Sequence, residues 1–137
     1  MRSLYDDIFT ALEEHDFSIP NVNIRQPYDE SDKSYPMIVL HEIVNAPVNH
    51  GTVNGETQTA VSYQMDIHTQ TCVDEDGAVL GRWQAGRRLV AEASDLLDET
   101  FKITRRTIRH EAPNPDVLLH IWRGDSVYDS HGYAYRP

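Results

Sequence analysis

Residues 57–71 constrain the fold more than any other stretch of this chain. Thr59, Val61, Tyr63, Met65 and Ile67 alternate with Gln58, Ser62, Gln64, Asp66 and His68. Side chains on a strand point to opposite faces in turn, so a period of two predicts an antiparallel strand with one packed and one wet face. Such a strand needs a strand partner and an apolar cover for its inner face. Both lie close by. Residues 37–44 begin Met37-Ile38-Val39-Leu40 and are rich in β-branched side chains, which predicts a strand buried on both faces at its start. On the other side, Leu80, Trp83, Val90, Ala93, Leu97 and Phe101 recur at helical spacing, widened by Leu89 and Leu96 and broken only by Arg87. That wide stripe predicts a helix over about 78–100 laid on the sheet.

The two strands are joined by residues 45–56, which contain Asn54-Gly55. Asn-Gly favours the left-handed backbone of a tight hairpin turn. Whether the connection is a long loop or two extended strands with a tight turn, the result is a polar arm projecting from the domain. Asn49, His50, Thr52, Asn54 and Glu56 on this arm are candidate contacts to a neighbouring subunit. Arg82, Arg87 and Arg88 join them, because they make the first half of the long helix basic. Dipole considerations disfavour cations at that end, so an acidic partner is one answer to them and ordinary surface arginines another.

Elsewhere the signals are local. Ser3 is a good N-cap, and Leu4, Ile8, Ala11 and Leu12 follow at helical spacing, predicting a short helix over 4–14. Pro20, Pro27 and Pro36 keep residues 16–35 mostly irregular, with Val22 and Ile24 as a short edge strand. Residues 104–111 and 117–122 read as strands around the turn Pro113-Asn114-Pro115-Asp116. Gly124 reads as a turn residue. Val127, Tyr128, Tyr133 and Tyr135 then supply a last short strand or a cover for a neighbour. Together these predict one α+β domain over 1–137. It has a mostly antiparallel sheet of about four main strands, with one long and one short helix packed on one face.

A chain of 137 residues with 39% apolar content supports one modest core. No apolar run approaches the roughly 20 residues of a membrane span. The first residues lack the apolar stretch of a signal peptide, so the expectation is synthesis and retention in the cytoplasm until assembly. The net charge of −10 is uneven: residues 1–81 carry 14 acidic and 3 basic side chains, and residues 82–137 carry 8 and 9. An acidic chain repels the nucleic-acid backbone, which argues against sequence-specific DNA binding. The asymmetry suits contacts between unlike faces of neighbouring copies, and equally a solvated acidic surface.

Chemistry is hard to find. Cys72 is the single cysteine, with no base beside it in the sequence. Seven histidines show no His-x-x-x-His and no His-Glu-x-x-His spacing, and there is no cysteine pair. His41 with His68, and His110 with His120, lie on strands able to pair, so cross-strand zinc is the one metal option. Asp74-Glu75-Asp76-Gly77 opens like a calcium loop but lacks the later ligands, and reads as a solvated turn. No phosphate-binding glycine loop and no Gly-x-Ser-x-Gly elbow occurs. Arg123-Gly124-Asp125 matches an adhesion tripeptide of a kind common by chance. No catalytic, cofactor or metal residues are therefore expected, and the chain does not read as an enzyme.

The order of parts does resemble a known family. A short helix leads through a Pro-punctuated stretch to Tyr35-Pro36-Met37-Ile38-Val39-Leu40, then a polar arm, then Tyr63-Gln64-Met65-Asp66-Ile67-His68, a long helix and a closing hairpin. This resembles the tail terminator (tail completion) proteins of long-tailed bacteriophages and gene-transfer particles, over nearly the whole chain. The resemblance implies a virion subunit at the tail–neck junction, six copies of which close into a ring on the tail tube. That ring stops tube growth and joins the tail to the head connector or stopper protein, while DNA passes through without specific binding. It implies no cofactor and no membrane. Competing expectations are a head-completion or stopper protein of the same neck, a small metal-dependent enzyme, and a cytosolic adaptor.

Overall fold

Ser3 stands in extended backbone, and its hydroxyl accepts the Asp6 amide at 3.1 Å. That contact satisfies one of the free N–H groups at a helix start. The computed structural model describes residues 3–48 and 58–128. The element order is α1 (Leu4–Glu14), β1 (Asn23–Arg25), β2 (Met37–Val48), β3 (Gln58–Thr69), β4 (Cys72–Val73), β5 (Val79–Leu80), α2 (Arg82–Phe101), β6 (Thr104–Glu111) and β7 (Leu118–Tyr128). This is an α+β fold. Five strands form the main sheet in the order β1-β2-β3-β7-β6, and β4 and β5 form a small separate ribbon.

The alternation in β3 decides which face is packed. Val61, Tyr63, Met65 and Ile67 are buried in one core cluster with Ile38 and Leu40 of β2 and Trp122 and Tyr128 of β7. Helix α1 adds Leu4, Ile8 and Leu12, and α2 adds Leu89, Val90, Ala93, Leu97 and Phe101. Each of the buried Val, Leu, Ile, Met and Phe side chains contributes roughly 1.5–3 kcal/mol by leaving water. The Tyr5 hydroxyl donates to the Leu40 carbonyl at 2.7 Å and pins α1 to the sheet. The chain leaves α2 through Lys102, whose φ of 59° is left-handed and whose amide reaches back to Asp98 and Leu97. That closes the helix as a C-cap does.

Four features differ from the sequence expectation. The sheet is mixed: β1 runs parallel to β2, with Asn23 opposite Met37 and Arg25 opposite Val39. The intervening residues 26–36 are long enough to return the chain to the same end, and Arg25 holds them there. Only 3% exposed, Arg25 donates to the carbonyls of Asp29 at 2.9 Å and Ser31 at 2.7 Å, and its guanidinium lies 3.3 Å from the Asp29 carboxylate.

The long helix starts at Arg82 and not near residue 78, because Val79 and Leu80 pair with Val73 and Cys72. Gln84 Oε1 then accepts the Gly81 amide at 3.1 Å and marks the true start. Gly124 is not a turn residue. It lies inside β7 opposite Tyr63 and Arg105, where a Cβ would overlap the Trp122 ring. Nor is Asp74 solvated: it is 9% exposed, and its Oδ1 accepts the amides of Asp76 and Ala78 at 2.9 Å each.

Candidate interaction surfaces

The sheet presents three surfaces away from its core. The first is the described part of the β2–β3 hairpin. β2 and β3 stay paired from Met37 opposite His68 to Val48 opposite Gln58, with a bulge between Glu42 and Val44. β1 covers the outer edge of β2 only at residues 37–39. Beyond it Glu42, Ile43, Val44, Asn45 and Ala46 are all exposed. The bulge lets Asn45 Nδ2 donate to Glu42 Oε1 at 2.6 Å. The arm candidates Asn49, His50, Thr52, Asn54 and Glu56 lie outside the described residues, as do Tyr133 and Tyr135.

The second is the other edge, β6. Apart from Ile108 every residue of this strand is exposed, and three of its eight are arginines. Its outer side has no strand partner among the described residues. A groove of about 650 Å³ runs between β6 and α2. Val90, Ala91 and Ile108 supply its apolar part, and Arg87, Asp95, Asp98, Arg105 and His110 its charged or titratable rim. The sequence signal for this edge was the thin apolar content of residues 104–111: a strand with one apolar side chain has little to bury on either face.

The third is the sheet face opposite the helices. His41 Nε2 lies 3.0 Å from Asp66 Oδ2, and Gln64 Nε2 donates to Asp66 Oδ1 at 2.9 Å. The register places Arg123 beside Gln64 and Ile121 beside Asp66. The wet face of β3 thus carries polar groups that satisfy one another across strands.

The three helix arginines divide. Arg82 donates to the carbonyls of Asn114 and Val117, each at 3.4 Å, and so ties the β6–β7 turn to the helix start. Arg88 donates to Asp74 Oδ2 at 3.0 Å and fastens the β4–β5 ribbon. Hydrogen bonds from Ala78 and Arg88 hold the Asp74 carboxyl below the usual carboxylate range. Arg87 alone is exposed on the groove, with no ion-pair partner among the described residues.

His110 and His120 are paired across β6 and β7, with ring centroids 4.8 Å apart, and the Trp83 ring lies tilted against His110 with centroids 5.1 Å apart. His120 is fully buried. Thr69 Oγ1 donates to the Arg82 carbonyl at 2.8 Å and lies 3.4 Å from His120 Nε2. A hydroxyl whose proton is already engaged accepts, which assigns the ring proton to Nε2. His120 Nδ1 is then a buried acceptor without a partner among the described residues. Burial, with smaller contributions from His110 and Arg87, pushes this imidazole down to about 4. No group of three His, Cys, Asp or Glu side chains able to hold a metal occurs among the described residues. Cys72 is half-buried, and desolvation pushes its thiol up, away from the thiolate form. Among the described residues no helix is long and apolar enough to cross a membrane. No protein-family model and no curated protein sequence matches this chain.

Proposed function

We propose that this chain is a ring-forming structural subunit of a bacteriophage neck: a tail terminator that caps the tail tube, ends its elongation and joins it to the head connector. The reading rests on the element order by which the sequence resembles that family and, in the structure, on one observation above all. The β2 strand continues past its β1 neighbour as an exposed edge, Glu42 to Ala46, with no strand on its outer side among the described residues. A strand with unpaired backbone on one side is a template for another chain and is selected against unless something covers it. In a subunit built to sit between a tube and a connector, neighbouring chains supply that cover. The acidic balance of −10 suits a lumen through which DNA slides, since like charge prevents adhesion. No catalytic role, cofactor or metal enters this reading.

Deletion of the encoding gene tests it. Loss of a terminator leaves overlong tails, and that is the expected phenotype. Full heads that leak DNA beside tails of normal length would assign the chain to the stopper position instead. Normal particles would remove both neck readings.

A further inference from the structure

Among the described residues the main sheet ends in two edges without a strand partner, the distal part of β2 and the whole of β6, and they are of unlike charge. On one side is the distal part of β2, with Glu42 exposed. On the other is β6, with Arg105, Arg106 and Arg109, backed by Arg87 on α2. The geometry points to head-to-tail pairing of these edges: β6 of one copy takes the open part of β2 from a second copy as its sixth strand. This rests on the ring-forming reading for closure alone, and it names the surfaces that such a ring would use.

Strand direction permits the pairing. β2 and β7 run one way and β3 and β6 the other. A neighbour related by rotation about an axis inclined to the strands by much less than a right angle keeps these directions, so its β2 meets β6 antiparallel. Charge selects this partner over the alternatives. Two β6 edges would bring together two strands that each carry three arginines against one glutamate, and like charge across strands is destabilising. Unlike edges give a heterologous contact, the kind that closes into a ring.

The register supplies a further check. The middle of β6, at Ile108, lies level with Trp122, Met65 and Leu40. Asn45, one residue past the middle of the open segment Glu42–Ala46, lies level with Val61, four residues before Met65 on β3. Joining the two offsets neighbouring copies by roughly 13 Å along the strands, over four strand spacings of about 19 Å in all. The resulting tilt is about 35°, within the range at which sheets close on themselves. In this register Asn45 faces Ile108, and Glu42 faces His110, beside Arg87. Both Glu42 and Asn45 lie on the helix side of the sheet, Glu42 opposite Tyr63 and Asn45 opposite Val61. Their side chains therefore enter the groove between α2 and β6, which has the volume and the mixed lining to receive them. Arg87, the one break in the apolar stripe of α2, acquires a counter-ion.

The test is a charge swap in the full chain, read by analytical ultracentrifugation with circular dichroism as a control for folding. The variants are Glu42→Arg, Arg87→Glu and the two combined. Both side chains are exposed, so folding is expected to be unchanged. Wild type should associate beyond the monomer. Each single variant should weaken association at least about ten-fold, and the combined variant should return to within about three-fold of wild type, as coupled pairs do. A wild type that stays monomeric at its highest soluble concentration overturns the inference. So does association that neither single variant moves, or a combined variant no stronger than the singles. If the swap behaves as expected but gene deletion leaves tail length normal, the neck reading fails and the interface stands. The reverse result removes the interface alone.

Discussion

Gly86 of α2 and His120 of β7 are in direct contact, and a Cβ on Gly86 would overlap the imidazole ring. The contact lets the helix lie close against the sheet beside the groove. Gly86→Ala should therefore destabilise the protein. The helix-propensity gain of about 1 kcal/mol is outweighed by an overpacking cost of about 1–3 kcal/mol. Urea unfolding of Gly86→Ala should give a lower midpoint than wild type, with part of the loss recovered in Gly86→Ala combined with His120→Ala. A stabilised Gly86→Ala would show that the helix is free to move off the ring.

The same histidine predicts a pH dependence. His120 titrates near 4 in the folded chain, because burial disfavours its cation. An unfolded histidine titrates near ~6.5. Between these values the unfolded chain binds more protons, so stability is full above pH ~6.5 and falls as pH drops toward 4. The fall is on the order of 2–3 kcal/mol at the lower limit. Denaturation of wild type and His120→Asn across pH 4–7 should show it as a steeper slope in wild type. Parallel curves would mean that His120 is not buried in its neutral form.

Arg25 is predicted to hold the parallel strand in place. Its guanidinium serves the carbonyls of Asp29 and Ser31 and the Asp29 carboxylate from a buried position. Arg25→Ala strands these groups and should cost about 2–3 kcal/mol. Hydrogen exchange should quicken first in residues 23–39, with α2 and β7 little affected. Uniform loss of protection would place the residue in the global core instead.

Local patterns carried much of this fold in the sequence. Ser3 with the Leu4, Ile8, Leu12 row marks α1, and the alternation from Thr59 to Ile67 marks both β3 and its packed face, because caps and periods act within a few residues. Long-range choices were not legible. The parallel pairing of β1 depends on Arg25 finding carbonyls 4 to 6 residues further along the chain. Gly124 carries a turn signal in isolation, and only the Trp122 ring above it shows why a strand needs glycine there. The sequence marks Arg82, Arg87 and Arg88 alike as cations at a helix start. Their separation into two structural contacts and one free groove residue depends on where Asn114, Val117 and Asp74 fold. The basic edge of β6 was visible as a polar strand, but its position at the sheet margin is a property of topology.

The proposed role of this chain is to stop the growth of a tail tube. Its most direct test is the length distribution of tubes assembled from the tail-tube protein of the same particle, measured by electron microscopy with and without this protein added. The expected result is shorter tubes that carry a terminal ring of about six subunits of 15.7 kDa and do not elongate when more tube protein is supplied. Tubes that grow unchanged, with no added density at their ends, would contradict it.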